Sequence, residues 1–311
     1  MGIAHWDDVA KRSRELGHLR GIWTFLGEAA GCVNAGVRRI EVPAGGWSTP
    51  AHEHGREEEI FFVLAGRGLS WQDEETFEIG PGDCIVYRAA EVAHTLHALE
   101  NLDVLAFGPR SEDESVGFPR TGLSIVGARI TESTPGYYEG FPAQFHAEAA
   151  VGPPPLPEPG PRPATIVNLA DVEPDPDERP SAFESPWRDL GTAAGSVTTG
   201  LKHVHVPAGK LSCPQHCHSA EEEIFVILDG EGVLWLGDDE IPVRPGHVVS
   251  RPAATHVAHA FRGGDGGLTY LAYGTREPND IVWYPRSKKI LWVGVDIMAR
   301  VEPLEYWDGE G

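Results

Sequence analysis

Two clusters of the same residue types recur in this chain: His52, His54, Glu59 and His94 in the first half, and His216, His218, Glu223 and His256 in the second. Three neutral imidazoles and one carboxylate are ligands for a divalent transition metal. They leave two positions of an octahedron for water, oxygen or substrate, which suits Fe, Mn, Ni or Co and leaves Zn open. A closed structural zinc site draws more often on thiolates, and the chain has no CxxC pair. The expected cofactor is a divalent transition metal, up to one per domain, in an open site.

A lone HxH pair is weak evidence in 311 residues that hold 14 histidines. His203 and His205 form such a pair, yet no glutamate follows at the right distance, and Arg39 and Glu41 stand at the matching first-half positions. No metal is expected there. Context sets the other pairs apart. Gly46 precedes His52, Glu59 follows His54 by five residues, and Gly66 follows Glu59 by seven; Gly209, His216, His218, Glu223 and Gly230 nearly repeat the pattern. The last histidine then comes 35 and 33 residues after its glutamate.

Such a spacing needs strands. Side chains two apart share a strand face, so His52 and His54 can bind one ion while Glu53 points away, as Cys217 does between His216 and His218. The runs EEEIFFVLAG and EEEIFVILDG read as strands rich in β-branched and aromatic residues, each starting at its candidate ligand. The turn signals GPGD and RPGH precede the later histidines and place them on a distant strand. A small closed β structure would bring the four side chains to one interior point. The same parity turns Phe61, Val63 and Leu96, and Phe225, Ile227 and Ala258, inward as barrel core or as an apolar pocket. It puts His97 and His259 on the outer face. The first two members of each acidic run, Glu57 and Glu58, Glu221 and Glu222, are expected in solvent.

The duplication is longer than the ligand clusters. WTFLGEAAGCVNAGVRRIEVPAG, residues 23–45, matches WRDLGTAAGSVTTGLKHVHVPAG, residues 187–209, without a gap, and later GPRSEDESVGFPR from Gly108 resembles GTREPNDIVWYPR from Gly274. YYEG from Tyr137 resembles YWDG from Tyr306. The expected organisation is a domain over residues 1–146, a Pro-rich linker over 147–164 that contains GPPPLPEPGPRP, and a second domain over 165–311. Strand-like runs bounded by Gly, Pro and Asp dominate both halves, so the fold class is all-β. One short helix is expected from Trp6 to Leu16, started by Asp7 or Asp8 and ended by Gly17.

A formal charge of −22 opposes nucleic-acid phosphates and anionic membranes. No run of 18 apolar residues and no apolar leader stretch is visible, so a cytoplasmic location is expected. Cys32, Cys84, Cys213 and Cys217 are too few to staple domains of this length and are expected to be reduced. Arg110 and Arg276 occupy matching positions beside Glu114 and Asp280; each could hold a substrate carboxylate or tie its loop to the barrel. Tyr87 has no obvious counterpart in the second half, so the two pockets should differ.

On these residues the chain resembles the cupin superfamily, whose first motif joins a glycine, HxH, a glutamate and a second glycine, and whose second carries the last histidine. Two copies make it similar to a bicupin. PGD in the first half becomes PGH at Pro245 to His247, and the asparagine usual after the last histidine is absent. The resemblance implies two tandem jelly-roll β-barrels, each a double-stranded β-helix, often assembled into dimers or larger homo-oligomers. It implies a metal-binding protein acting on a small organic acid, aromatic or carbonyl compound. The expectation placed first is a dioxygenase; a redox-neutral isomerase, decarboxylase or hydrolase and a non-enzymatic small-molecule binder stand beside it, because fold alone does not choose among them.

Overall fold

The structure, a computed structural model, describes residues 2–126, 143–175 and 180–310; the repeat segment from Tyr137 lies outside them. Each half is a jelly roll of antiparallel strands. In the first, a seven-stranded sheet runs in the order Ile166–Asn168, Asp83–Tyr87, Glu59–Ala65, Leu102–Pro109, Ala35–Val42, Leu19–Thr24, Lys11–Leu16. Opposite it lies the three-stranded sheet His94–Ala98, Gly68–Gln72, Glu75–Ile79. The second half repeats the plan with two longer strands, Glu223–Leu236 and His259–Thr275, which continue past the point where Gly66 interrupts the first-half strand. Among the described residues, both large sheets end in free edges and do not close as continuous hydrogen-bonded barrels.

Gly66 and Gly230 are required where the strand turns. Their φ values are +79° and +72°, and a Cβ at either would lie about 2 Å from the carbonyl oxygen of Asn101 or Gly267.

The strand Glu59–Ala65 shows how one apolar run serves two cores. Phe61 and Val63 point into the jelly roll, packing with Ile40, Tyr87 and Leu96. Ile60 and Phe62 point the other way, into a core shared with Ile224, Val226 and Leu271 of the second half. Phe107 and Tyr273 stack there with centroids 5.3 Å apart. Burial on both faces explains why the run barely alternates.

The two halves also exchange chain. Ile3–His5 pairs with His247–Arg251 of the second half, and Ile166–Asn168 pairs with Asp83–Tyr87 of the first. Glu58 and Glu222, expected in solvent, are buried at this interface. The Glu58 carboxylate accepts from Ser196 Oγ at 2.6 Å, Thr199 Oγ1 at 2.6 Å and Val197 N at 2.9 Å. Glu222 reciprocally accepts from Val33 N at 2.9 Å and Asn34 N at 2.5 Å. Burying a carboxylate is tolerable when donors replace its water, and both have them.

The expected helix from Trp6 to Leu16 is instead a strand, Lys11–Leu16, that forms a hairpin with Leu19–Thr24. Gly17, at φ +62°, makes the two-residue turn. The Pro-rich segment is strapped to the first jelly roll: Trp71 Nε1 donates to Pro155 O at 3.1 Å and Thr76 Oγ1 to Pro157 O at 2.8 Å. Just before it, the helix Ala143–Val151 buries Phe145 against a cluster with Leu19, Trp47 and Trp71.

Candidate metal centres

The first cluster assembles around one carboxylate oxygen. Glu59 begins its strand, and its Oε2 lies 3.8 Å from His52 Nε2, 3.4 Å from His54 Nε2 and 3.1 Å from His94 Nε2. An isolated bridge sets His52 beside His94, so the first ligand segment runs alongside the strand His94–Ala98. The opposite edge of His52 is hydrogen-bonded to an acceptor, and that of His54 faces a carboxylate without a hydrogen bond. His52 Nδ1 is 2.9 Å from Pro50 O, and His54 Nδ1 is 3.5 Å from Glu114 Oε1. A proton on Nδ1 leaves the Nε2 lone pair facing the carboxylate, which is the tautomer a metal ligand needs.

The second cluster has the same form with one change of residue. Glu223 Oε2 lies 3.9 Å from His216 Nε2, 3.3 Å from His218 Nε2 and 3.1 Å from Nε2 of His259. His256 does not join this group: it is exposed, outside any strand, with φ +57°. His259 opens the next strand, and the bridge between His216 and His259 repeats that between His52 and His94. The cause is one extra residue in the preceding loop. Tyr87 and Arg251 pair with Glu59 and Glu223 respectively, and the histidine comes seven residues after Tyr87 but eight after Arg251. The spacing that would have found it is the near-equal 35 and 36 residues from each glutamate. His97, the other histidine expected outside, packs against Trp47 with ring centroids 4.9 Å apart.

These residues fit a metal. In each domain two histidines and the glutamate offer ligand atoms within 4.8 Å of one another. His54 Nε2, His218 Nε2, His259 Nε2 and Glu223 Oε2 are buried and make no hydrogen bond. Buried polar atoms without partners are costly, and a divalent cation would satisfy all of them. Electrostatics agree on the need for positive charge. Burial works against a charged His54, yet Glu59 and Glu114 outweigh it and hold the imidazole up at about 10. Burial pushes His94 and His259 down to about 4. Glu59 and Glu223 stay well below the usual carboxylate range: burial opposes this, and the facing histidines prevail.

The surroundings of the two centres differ. At the first, Tyr87 stacks on His94 at 3.7 Å and bonds Ser70 Oγ through its hydroxyl at 2.8 Å. At the second, Arg251 takes that place; its Nε and Nη1 are buried without hydrogen bonds. Asp280 Oδ2 approaches His218 Nδ1 at 2.7 Å, closer than Glu114 approaches His54. Asp280 and Glu114 are thus bound to the ligand loops and not to the neighbouring arginines. Cys213 Sγ lies 3.7 Å from His216 Nδ1, a contact that spacing did not suggest. All four cysteines are free. His203 and His205 stay apart from both centres, His205 bonding Thr269 at 3.0 Å.

A cavity of about 330 Å³ opens on His52, His54 and Glu59. Its walls are Trp23, Phe25, Phe118 and Phe145, with Phe118 stacked on His52 at 6.2 Å. Phe61, Val63 and Leu96 are core and do not line it. Polar groups missed by strand parity do line it: Glu28, Glu57 and Glu114, and Arg14, Arg38 and Arg110. Burial pushes Glu57 up to about 7.

No helix among the described residues is long and apolar enough to cross a membrane. An uncharacterised protein of Methanocaldococcus jannaschii is 39% identical over 61 residues, 20% of this chain and 47% of that protein, so the match spans about half of that relative's length. The oxalate decarboxylase of Bacillus subtilis at pH 4.6 is similar over 88% of this chain and 75% of its own, with TM-score 0.58 and 16% identity. The formate complex of Lactobacillus farciminis oxalate decarboxylase covers 89% and 86%, with TM-score 0.57 and 16% identity. At that identity the likeness is one of fold. The cupin domain family matches residues 38–107 and 202–271, one span in each jelly roll, and the chain is therefore a bicupin.

Proposed function

We propose that this bicupin is a divalent-metal enzyme whose chemistry takes place at the first centre, and that the reaction is redox-neutral decarboxylation of a small organic acid. The observation that carries this reading is the cavity at His52, His54 and Glu59, which is also lined by Glu28, a carboxyl group without a side-chain partner among the described residues. Sequence reading found no acid–base residue bound to lie in the pocket and placed a dioxygenase first. The carboxyl groups in the cavity move the decarboxylase alternative ahead, and the fold likeness to oxalate decarboxylases supports it.

His52, His54, Glu59 and His94 would hold the metal, a Lewis acid that draws electron density from a substrate oxygen. The protein supplies the rest. The bond from the carboxylate carbon breaks, its electron pair stays on the remaining carbon, and a proton must arrive there as CO2 leaves. Glu57 accepts from Ser111 N, and Glu114 from Gly55 N and Glu57 N at 2.8 and 2.9 Å. The Glu28 side chain makes no hydrogen bond or ion pair among the described residues, and it lines the cavity as the group assigned to deliver that proton. The aromatic walls limit the water that could compete.

The test uses Mn(II)-loaded protein with oxalate, oxaloacetate and phenylpyruvate, following CO2 and dissolved oxygen together. The reading expects CO2 release without stoichiometric oxygen uptake. It expects Glu28→Gln to lower kcat by about a hundredfold at unchanged metal content. Product formation matched mole for mole by oxygen uptake would establish the dioxygenase instead. Tight binding without turnover would leave a binding protein.

A further inference from the structure

Arg110 and Arg276 occupy the same place in the two repeats, and only one of them is satisfied. Arg276 donates from Nη1 to Ser196 O at 2.9 Å and from Nη2 to Thr192 Oγ1 at 3.0 Å. Arg110 packs over a glycine in the same manner, its Nε 3.1 Å from where a Cβ on Gly36 would sit. Cys32 and Glu28 stand where the second repeat has Ser196 and Thr192. Among the described residues the Arg110 side chain has no hydrogen bond and no ion pair.

Arg38 is the second such group. It lies on the inner face of the strand Ala35–Val42, two residues beyond Gly36, and among the described residues its partner is the ring of Phe25, 5.6 Å away. The chain has 47 acidic residues against 25 basic ones, so acids were in ample supply to pair both guanidiniums. Among the described residues neither has an acidic partner, and both face one cavity.

The floor between them and the metal ligands is kept bare. Gly36 and Gly108 are cross-strand partners, and a Cβ on Gly108 would come within 3.7 Å of Glu59 Cγ. A ligand chain can therefore lie along the sheet from the guanidiniums to the His/Glu group. The opposite walls are aromatic, and the cavity is at the small end of roughly 300–1,000 Å³ for small-molecule pockets.

We propose that this cavity is a subsite for carboxylates with an aromatic body, in which Arg110 and Arg38 take the carboxylate and Trp23, Phe118 and Phe145 take the ring. Planar guanidinium forks match a carboxylate in two parallel bonds. The subsite rests on the proposed first-centre function and narrows its substrate class from small acids in general to arylated ones, with Arg110 as the specificity residue.

The test is equilibrium binding to the Mn(II)-loaded full chain, using phenylpyruvate and its methyl ester as probes and calorimetry as the readout. Phenylpyruvate should bind once per chain and at least tenfold more tightly than the ester. Arg110→Ala should weaken phenylpyruvate at least tenfold and erase its advantage, with the metal content unchanged. Arg110→Lys, which keeps charge and bulk, should restore part of it and controls for folding. Arg276→Ala should leave the affinity as it was. Equal affinity for acid and ester, no binding of the acid, or an Arg110→Ala protein that binds like the parent would overturn the subsite. Binding and turnover separate the two proposals: a bound acid that is never decarboxylated removes the reaction and keeps the subsite. Conversely, decarboxylation of oxalate alone, indifferent to Arg110→Ala, keeps the reaction and removes the subsite.

Discussion

The two centres agree in their inner geometry and part company immediately outside it. Oε2 of Glu59 and of Glu223 meets its three imidazoles at distances that differ by no more than 0.1 Å between domains. Yet Tyr87 faces Arg251 across the repeat, Thr49 faces Cys213, and the unpaired Arg110 faces the tied Arg276. Strand register dictates where ligand side chains converge, so duplication preserves them as long as the sheet is preserved. Their neighbours carry no such constraint, and they set local charge and access. Under the proposed function, this difference assigns the chemistry to the first centre and metal binding alone to the second.

The harshest way to break that contrast is to remove a ligand from each centre in turn. His52→Ala and His216→Ala should each lose one of two bound metals, measured by elemental analysis. Only His52→Ala should abolish turnover, by at least about a hundredfold, a loss of the size expected when a metal site is disrupted. His216→Ala should retain activity within about threefold. Comparable losses in both variants, or a reversed order, would mean that the second centre also takes part in turnover.

Much of the first centre was legible because alternation and a conserved spacing both pointed at it: parity joined His52 to His54, and the glutamate began a recognisable strand. The second failed at its last ligand for a local reason. One inserted residue between Arg251 and His259 puts that ligand 36 residues after its glutamate, and His256, at 33, is the first histidine that the chain offers beyond the RPGH turn. Contacts between the domains were not legible at all. Glu58 looks like a surface acid until the second jelly roll covers it, and nothing in a three-residue segment such as Ile3–His5 shows that its partner strand begins at His247. The helix expected at Trp6–Leu16 failed because pairing with Leu19–Thr24 overrode a capping signal that is only local.

The interface offers a finer comparison. Glu58 accepts two side-chain hydroxyls besides backbone donors, whereas Glu222 relies mainly on the backbone of Val33 and Asn34, with Ser250 Oγ farther off at 3.3 Å. Replacing a buried carboxylate by an amide removes charge-assisted bonds and forces an amide donor against donors. Glu58→Gln should therefore lower the unfolding free energy by about 2 kcal/mol in urea denaturation. Glu222→Gln should cost less, because fewer hydroxyls must be left unpaired. A larger loss for Glu222→Gln would show that the backbone loop at Val33 is the stricter partner.

The smallest expected effect bears on the second centre alone. Arg251 is 4% exposed and sits across from Glu223, with two nitrogens that no acceptor among the described residues meets. A guanidinium there repels an incoming divalent cation and offsets the carboxylate meant to attract it. The aromatic ring of Tyr87 exerts no such repulsion at the first centre. In a His52→Ala background, which leaves the second centre as the site titrated, Arg251→Tyr should tighten Mn(II) binding about tenfold, or about 1.4 kcal/mol, against a competing chelator. Arg251→Met, neutral and flexible, should move the affinity in the same direction if charge is the cause. An unchanged or weaker site in both variants would mean that the hydrogen bond of Arg251 to Thr255 Oγ1, 3.2 Å long, matters more, by holding the loop that delivers His259.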